Sequence, residues 1–421
     1  MLLRIRKFFS VLGPGLITGA ADDDPSGIST YSVAGAATGY SMLWLTLIST
    51  PMMSVIQGMC ARISMVNGEG LAAIMRKRLP FWLAYALAAL VIVANTFNLG
   101  ADIGGMADAL HLVLPLPVDA LVFLFGIGLI AVQTYLSYAK IAQIFKWLTL
   151  ALFAYVITAF VVRPPWGDVF LHFAVPRVRL DSGWLSTMVG VLGTTITPYL
   201  FFWQSSLMVE EDKEAGKTTI ADRRGTSEKQ IHNMHADVNT GMIFSNLVAF
   251  FIIVTTASTL GAHGRHDIAT AQQAAEALRP LAGRFAELLF ALGMVGTGIL
   301  AVPVLATSSA YVAAQTFRFR EGLSEPVGRA PRFYAIIAAG ILIGIAMNLL
   351  HIDAIKALFW SAVLNGIAAV PLIGVIVSLA SNKQLMGEWT SSRLARAWGW
   401  ATFALMGGAT VGMFYFMAHG T

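Results

Sequence analysis

"VLGPGLITGAADDDPSGISTYSVAGAATG", residues 11–39, is an apolar segment interrupted at its middle by Asp22-Asp23-Asp24-Pro25-Ser26-Gly27. Three consecutive acids and a helix breaker stand where their neighbours read as membrane. Pro25 removes a backbone donor and Gly27 relaxes the chain, so a helix through this segment breaks there. A carboxylate near the bilayer centre costs about 2.5–3.5 kcal/mol on the insertion scale, which makes it a functional residue by default.

The composition supplies the membrane. The chain has 421 residues, is 57% hydrophobic and 12% charged, and has a mean hydropathy of +0.70. Soluble domains carry about 25% charged residues, so this is a polytopic membrane protein. A single cysteine, Cys60, excludes a disulfide framework or a thiolate metal cluster. The net charge of +5 does not indicate nucleic-acid binding, because the basic residues sit in short loops between apolar runs. The basic start "MLLRIRKFFS" has no small-residue cleavage site after it and is expected to be a cytoplasmic tail.

Apolar runs long enough to span occur at about 11–37, 41–63, 81–110, 119–138, 142–162, 184–207, 238–260, 285–314, 333–350, 354–380 and 397–418. With the N-terminus inside, 21 of the 28 Lys and Arg residues fall on the inner side, which places the N-terminus in the cytoplasm and the C-terminus outside. No soluble domain is expected. The polar stretch 210–237 reads as a charged cytoplasmic loop, and 269–285 as a surface helix leading into the eighth span. The whole of 1–421 forms one transmembrane domain.

The sixth span carries a second break. "VGVLGTTITPYLFFWQSS" (189–206) contains Gly190, Gly193 and Thr197-Pro198. Backbone freed at membrane depth must be satisfied by protein or by a hydrated cavity. Breaks at matching positions of two five-helix halves point to an inverted-repeat transporter with its site at the midplane. The expected fold is all-α, with about eleven transmembrane helices in a 5+5 inverted-repeat (LeuT-type) arrangement. Repeat one covers about 11–162, repeat two about 184–380, and the last helix, about 397–418, is an addition. Asp24, beside the first break, can join freed carbonyls in binding a cation. The plain alternative is that the acids line a solvated vestibule and cap the half-helix starting near Ser26. That alternative is stronger for Asp22 and Asp23.

"GPG…DDDPSG" followed by "TPYLFFWQ" (197–204) resembles the Nramp divalent-metal transporters, whose first helix carries Asp-Pro-Gly-Asn and whose sixth carries Met-Pro-His. The likeness runs over essentially the whole chain, including "YAKIAQIFKWLTLALFAY" (138–155) and "ALGMVGTGILAVPVLATSSAYV" (291–312). It implies that Asp24, Gly27, Thr194 and Thr197 stand where the family holds its metal. The chain also departs from the pattern. The family's asparagine falls on Gly27, its methionine on Thr197 and its carbonyl-donating alanine on Thr194. Its two histidines fall on Tyr199 and Gln204. The Asp-x-x-Glu of span three becomes Asp102-Ile103-Gly104-Gly105, and the span-ten glutamine falls on Ala362, with Asn365 one turn later. These changes are similar to the Nramp-related magnesium transporter branch.

Methionine sulfur favours transition metals, whereas a threonine hydroxyl is hard. Mg²⁺ keeps several waters and needs only one or two carboxylates, which suits this sparse set. Alternatively, Thr194 and Thr197 bond back to helix carbonyls. All eight histidines fall in loops or at span ends, so strict proton coupling is not expected.

The leading expectation is therefore a bacterial plasma-membrane carrier of Mg²⁺, with Mn²⁺ accepted, and not an enzyme. Its partners would be the divalent cation and the bilayer, with no nucleic acid, obligate protein partner or resident cofactor. Asp22, Asp23, Ser26, Tyr199, Gln204, Asp102 and Asn365 are candidates for supporting the ligands or lining the vestibule. One alternative is a proton-coupled Mn²⁺/Fe²⁺ importer using Asp24 and Asp102. Another is a sodium-coupled organic-solute carrier of the same fold, although three acids suit an anionic substrate poorly. An intramembrane aspartyl protease would need facing aspartates in a Gly-x-Gly-Asp context, which neither Asp24 nor Asp102 has.

Overall fold

The computed structural model describes residues 18–19, 21–135 and 151–420. Its main helices are α1 (Pro25–Thr38), α2 (Leu43–Asn67), α3 (Leu71–Arg78), α4 (Phe81–His111), α5 (Val118–Tyr135), α6 (Phe153–Val162) and α7 (Trp166–Ala174). The second half adds α8 (Ser182–Thr195), α9 (Pro198–Glu214), α10 (Glu228–Thr259), α11 (Ala286–Phe317), α12 (Pro331–Asn348), α13 (Ala354–Ala380) and α14 (Arg393–His419). There is no strand among the described residues.

Both expected breaks are present. The chain is helical at residues 21–22, leaves the helix at 23–24 and resumes at Pro25, and α8 stops at Thr195 before α9 starts at Pro198. The described segments long and apolar enough to cross a membrane number nine, one of which, Pro25–Asn67, holds two of the expected spans. Of the fifth expected span, 142–162, residues 142–150 lie outside the described residues, and the described part includes the apolar helix Phe153–Val162. Most of "YAKIAQIFKWLTLALFAY" lies outside the described residues, as does "GPG".

Two connections differ from expectation. The stretch 210–237 is not all loop: α9 runs on to Glu214, and α10 starts at Glu228. Ser227 and Gln230 form a reciprocal capping box there, satisfying two backbone donors and fixing the start. His232 and His235 consequently lie in a helix. The stretch 269–285 is no simple surface helix either, but short pieces, Ala271–Ala275 and Arg279–Ala282, joined by 3₁₀ turns. Ala274, Ala275, Ala277 and Leu278 are buried there.

The core is built around the broken helices. Helix α1 packs on α10 and α13, α8 packs on α13, and α4 packs along α11. Small residues permit this closeness: a Cβ at Gly193 would sit 2.2 Å from the Ala362 carbonyl oxygen and 2.3 Å from Gly366 N. Only glycine lets α8 approach α13 so closely.

Candidate metal centre

The first break is held by its own acid. Pro25 has no N–H, so the Ala21 carbonyl loses its helical donor. The Tyr199 hydroxyl takes that place, donating to Ala21 O at 2.9 Å. Asp24 is the N-cap of α1. Its Oδ1 accepts from Gly27 N at 2.7 Å and from Ser26 Oγ at 2.8 Å. Its Oδ2 accepts from Asn98 Nδ2 at 3.0 Å and faces the Tyr199 hydroxyl at 3.4 Å. Capping and a place at the break are thus combined in one carboxylate.

The second break supplies hydroxyls. Pro198 cannot bond to the Thr194 carbonyl, which is left without its helical donor. Thr197 is extended (φ −93°, ψ 135°), and its side chain makes no capping bond. Its Oγ1 is buried with no hydrogen-bond partner. Thr194 Oγ1 lies 3.5 Å from Ser26 Oγ. Neither threonine bonds back to a carbonyl, and it is Thr195 that does so, to Val191 O at 2.7 Å. The two breaks face each other across Gly27, where a Cβ would lie 3.2 Å from Thr194 Oγ1 and 3.4 Å from Asp24 Oδ1.

Helix α4 closes the third side. Asp102 Oδ1 accepts from Ser26 N at 3.2 Å. Asn98 is one turn earlier on the same face, and Asn95 continues that polar stripe, donating to Ser309 Oγ at 3.1 Å. Asn98 and Asn95 were missed in the sequence, although their spacing from Asp102 in an apolar helix is a readable signal.

Asp24, Thr194, Thr197 and Asp102 expose 2% or less of their surface, so the site is closed to solvent. Asn98 Oδ1, Asp102 Oδ2, Thr197 Oγ1 and both polar atoms of Asn365 are buried without partners. Among the described residues no three carboxylates, histidines or cysteines converge on one point. What the breaks offer is a mixed set of one or two carboxylates, neutral hydroxyl and amide oxygens, and freed carbonyls. Such hard donors match a cation that retains part of its water.

The remaining candidates divide. Ser26 and Tyr199 join the site directly. Gln204 does not: its Oε1 accepts from Thr18 Oγ1 at 2.8 Å. Asn365 has no hydrogen bond to the group. Asp22 and Asp23 do not line a solvated vestibule, because they expose 0% and 1%. Their side chains pack on α10, where Ser245 Oγ lies 2.7 Å from Asp22 Oδ2 and 3.1 Å from Asp23 Oδ1.

The family profile described as natural resistance-associated macrophage protein-like, or Nramp, matches residues 15–416. The divalent metal cation transporter MntH of Erwinia tasmaniensis is 27% identical over 405 residues, covering 93% of this chain and 90% of that protein. The manganese transporter of Eremococcus coleocola, solved with an aromatic bis-isothiourea compound, shares the fold with a TM-score of 0.73 at 18% identity. That match covers 97% of this chain and 86% of the other. Mhp1, a nucleobase-cation-symport-1 family transporter, is a more distant fold relative, with a TM-score of 0.53 at 15% identity over 96% of this chain and 92% of its own.

Proposed function

The chain belongs to the Nramp family, whose members are membrane transporters of divalent metal cations and not enzymes, and on that premise we propose that its preferred cargo is Mg²⁺, with Mn²⁺ accepted. One observation carries this reading. The hydroxyl of Thr197, where the family pattern has a methionine, is buried at the second break with no protein partner. A hard, unengaged oxygen in place of a soft sulfur weakens the preference for transition metals. The neighbouring groups with unused oxygens, Asn98 and Asp102, are equally hard.

Asp24 is the principal charged ligand in this reading, with Thr194 and Thr197 as neutral donors and Asp102 behind Ser26. The Lys and Arg distribution supports a cytoplasmic N-terminus in a bacterial plasma membrane. Uptake is driven by voltage and concentration and not strictly by protons. Among the described residues no histidine hydrogen-bonds to Asp22, Asp23, Asp24 or Asp102.

A second reading, a proton-coupled Mn²⁺/Fe²⁺ importer, is favoured by one feature. Ser26 bridges the two carboxylates, donating from N to Asp102 and from Oγ to Asp24. In that reading the metal displaces a proton from Asp24, and Asp102, on the other side of Ser26, is the nearby carboxylate that accepts it.

Purified protein in liposomes tests the cargo. Uptake of labelled Mn²⁺ should be suppressed by Mg²⁺ at concentrations no higher than those at which unlabelled Mn²⁺ itself competes. Suppression by Fe²⁺ or Cd²⁺ but not by Mg²⁺ would exclude the Mg²⁺ reading and support the second.

A further inference from the structure

Four pieces of chain meet on the side of the bundle that the Lys and Arg distribution supports as cytoplasmic. They are the end of α2, the end of α3, the turn before α10, and the segment 384–389 between α13 and α14. Together they wall a cavity of about 660 Å³. Sites for small ligands occupy roughly 300–1,000 Å³. The walls are tied to one another. Gly225 N donates to Val66 O at 3.0 Å, and Asn67 Nδ2 reaches Met386 Sδ at 4.0 Å.

The cavity carries charge that the protein leaves without a partner. Arg78 and Arg224 line it, and neither takes part in an ion pair among the described residues. Glu388 is the one acid in the lining. A third arginine stands behind the wall. Arg62 lies one turn before Val66 on the same face of α2. Its Nη2 donates to Ser391 Oγ at 2.6 Å, two residues past Trp389 of the lining. Arg62 is only 8% exposed, its Nε has no partner, and it has no ion pair among the described residues. A buried guanidinium without a counter-charge is costly, and unlike a carboxyl or an amine it cannot change protonation to escape that cost.

The sequence beside the cavity gives its depth. Three residues after Arg78, Phe81 and Trp82 open the α4 span with 73% and 68% of their surface exposed. Aromatic rings at a span end sit at the level of lipid headgroups.

We infer that this cavity is an anion site for a phosphate group, which Arg78 and Arg224 grip while Arg62 supplies a buried positive charge behind it. Guanidinium groups match phosphate oxygens through paired N–H donors. The depth of the cavity favours the phosphate of an anionic phospholipid such as phosphatidylglycerol, whose glycerol hydroxyls can donate to Glu388. Soluble phosphate presents the same chemistry from the aqueous side. An occupant bridges all four pieces of chain and so stabilises this side of the bundle, whichever cation the carrier moves.

The full chain in detergent tests this, with short-chain dioctanoyl-phosphatidylglycerol, dioctanoyl-phosphatidylcholine and inorganic phosphate as probes. Calorimetry and the rise in unfolding temperature report binding. Phosphatidylglycerol should bind at least about tenfold more tightly than phosphatidylcholine. Arg78→Gln/Arg224→Gln should abolish that preference. Arg329→Gln/Arg332→Gln, which removes equal charge from the connection between α11 and α12, should keep it. Glu388→Gln, which removes the opposing charge and keeps an acceptor, should tighten phosphatidylglycerol binding about threefold, and it serves if the arginine variant does not fold. Tight binding of inorganic phosphate, lost with Arg78 and Arg224, would keep the anion site and overturn the headgroup as its source. Equal affinity for both lipids, a preference weakened alike by the two arginine pairs, or weaker binding in Glu388→Gln would overturn the inference and leave only diffuse attraction to a basic surface.

Discussion

Replacing Asp24 should separate its two jobs, provided the substitute is chosen from the geometry. Asparagine keeps an oxygen for Gly27 N and Ser26 Oγ and is as good an N-cap as aspartate. Its amide would face the Asn98 amide, but Asn98 can flip and offer Oδ1, which has no partner in the wild type. The capped break should survive, with a stability change under about 1 kcal/mol. Alanine removes the cap, worth about 0.5–2 kcal/mol, and strands the Asn98 amide donor in the interior at about 1–3 kcal/mol. Asp24→Ala should therefore lose roughly 1.5–5 kcal/mol, and its lack of transport would be ambiguous. Asp24→Asn should unfold thermally within a few degrees of wild type yet bind Mn²⁺ at least about 100-fold more weakly, equivalent to about 2.8 kcal/mol. Calorimetry, thermal unfolding and liposome uptake on the same preparations provide the comparison. An asparagine variant that transports at wild-type rates would refute Asp24 as the charged ligand. An alanine variant as stable as wild type would refute the hydrogen bonding described here.

Other changes probe neighbouring parts of the account. Thr197→Met should move preference toward Mn²⁺ by about tenfold in competition assays, and an unchanged Mg²⁺/Mn²⁺ ratio would count against the hard-donor reading. Gly27→Asn should reinforce that shift only when paired with Thr194→Ala, since its Cβ would stand 3.2 Å from Thr194 Oγ1. Alone it should lower both uptake and thermal stability. Beyond the end of α11, burial above all, with nearby Glu210, pushes the Glu321 carboxyl up from 4.5 to about 8, against the pull of Lys213, Gln315 and Arg223. The folded chain then holds a proton that the unfolded chain has released between those values, so stability falls as pH rises through that window. Glu321→Gln should flatten the decline between about pH 5.5 and pH 8.5 in thermal unfolding; an equally steep decline would show that Glu321 is not its source. Cys60 is fully buried, so maleimide should label it only after denaturation, and rapid labelling of native protein would contradict the packing of α2.

Much of the fold was legible because membrane spans advertise themselves by length and hydropathy, and because both breaks carry proline within an apolar run. The start of α10 was misplaced by about ten residues although "SEKQ" (227–230) spells a capping box. A charged first turn hid the helix from a hydropathy reading. Asp24, Ser26, Thr194 and Asp102 could be placed together from the breaks and the family resemblance. Ser245 could not, because its contact with Asp22 and Asp23 depends on how closely Gly19 approaches Gly241. Burial of those two acids was misjudged for the same reason. Sequence shows that a residue is charged, but the closeness of α10 decides whether water reaches it.

The most direct measurement records Mg²⁺ uptake and internal pH together in liposomes, for wild type and Asp24→Asn. At an imposed voltage of ~100 mV each charge moved gains about 2.3 kcal/mol, so wild type should accumulate Mg²⁺ with no matching acidification. A pH gradient at zero voltage should not drive uptake, and Asp24→Asn should be silent under both conditions. Absence of Mg²⁺ uptake, or acidification that scales with metal entry and disappears in the variant, would contradict an uncoupled carrier of hard cations.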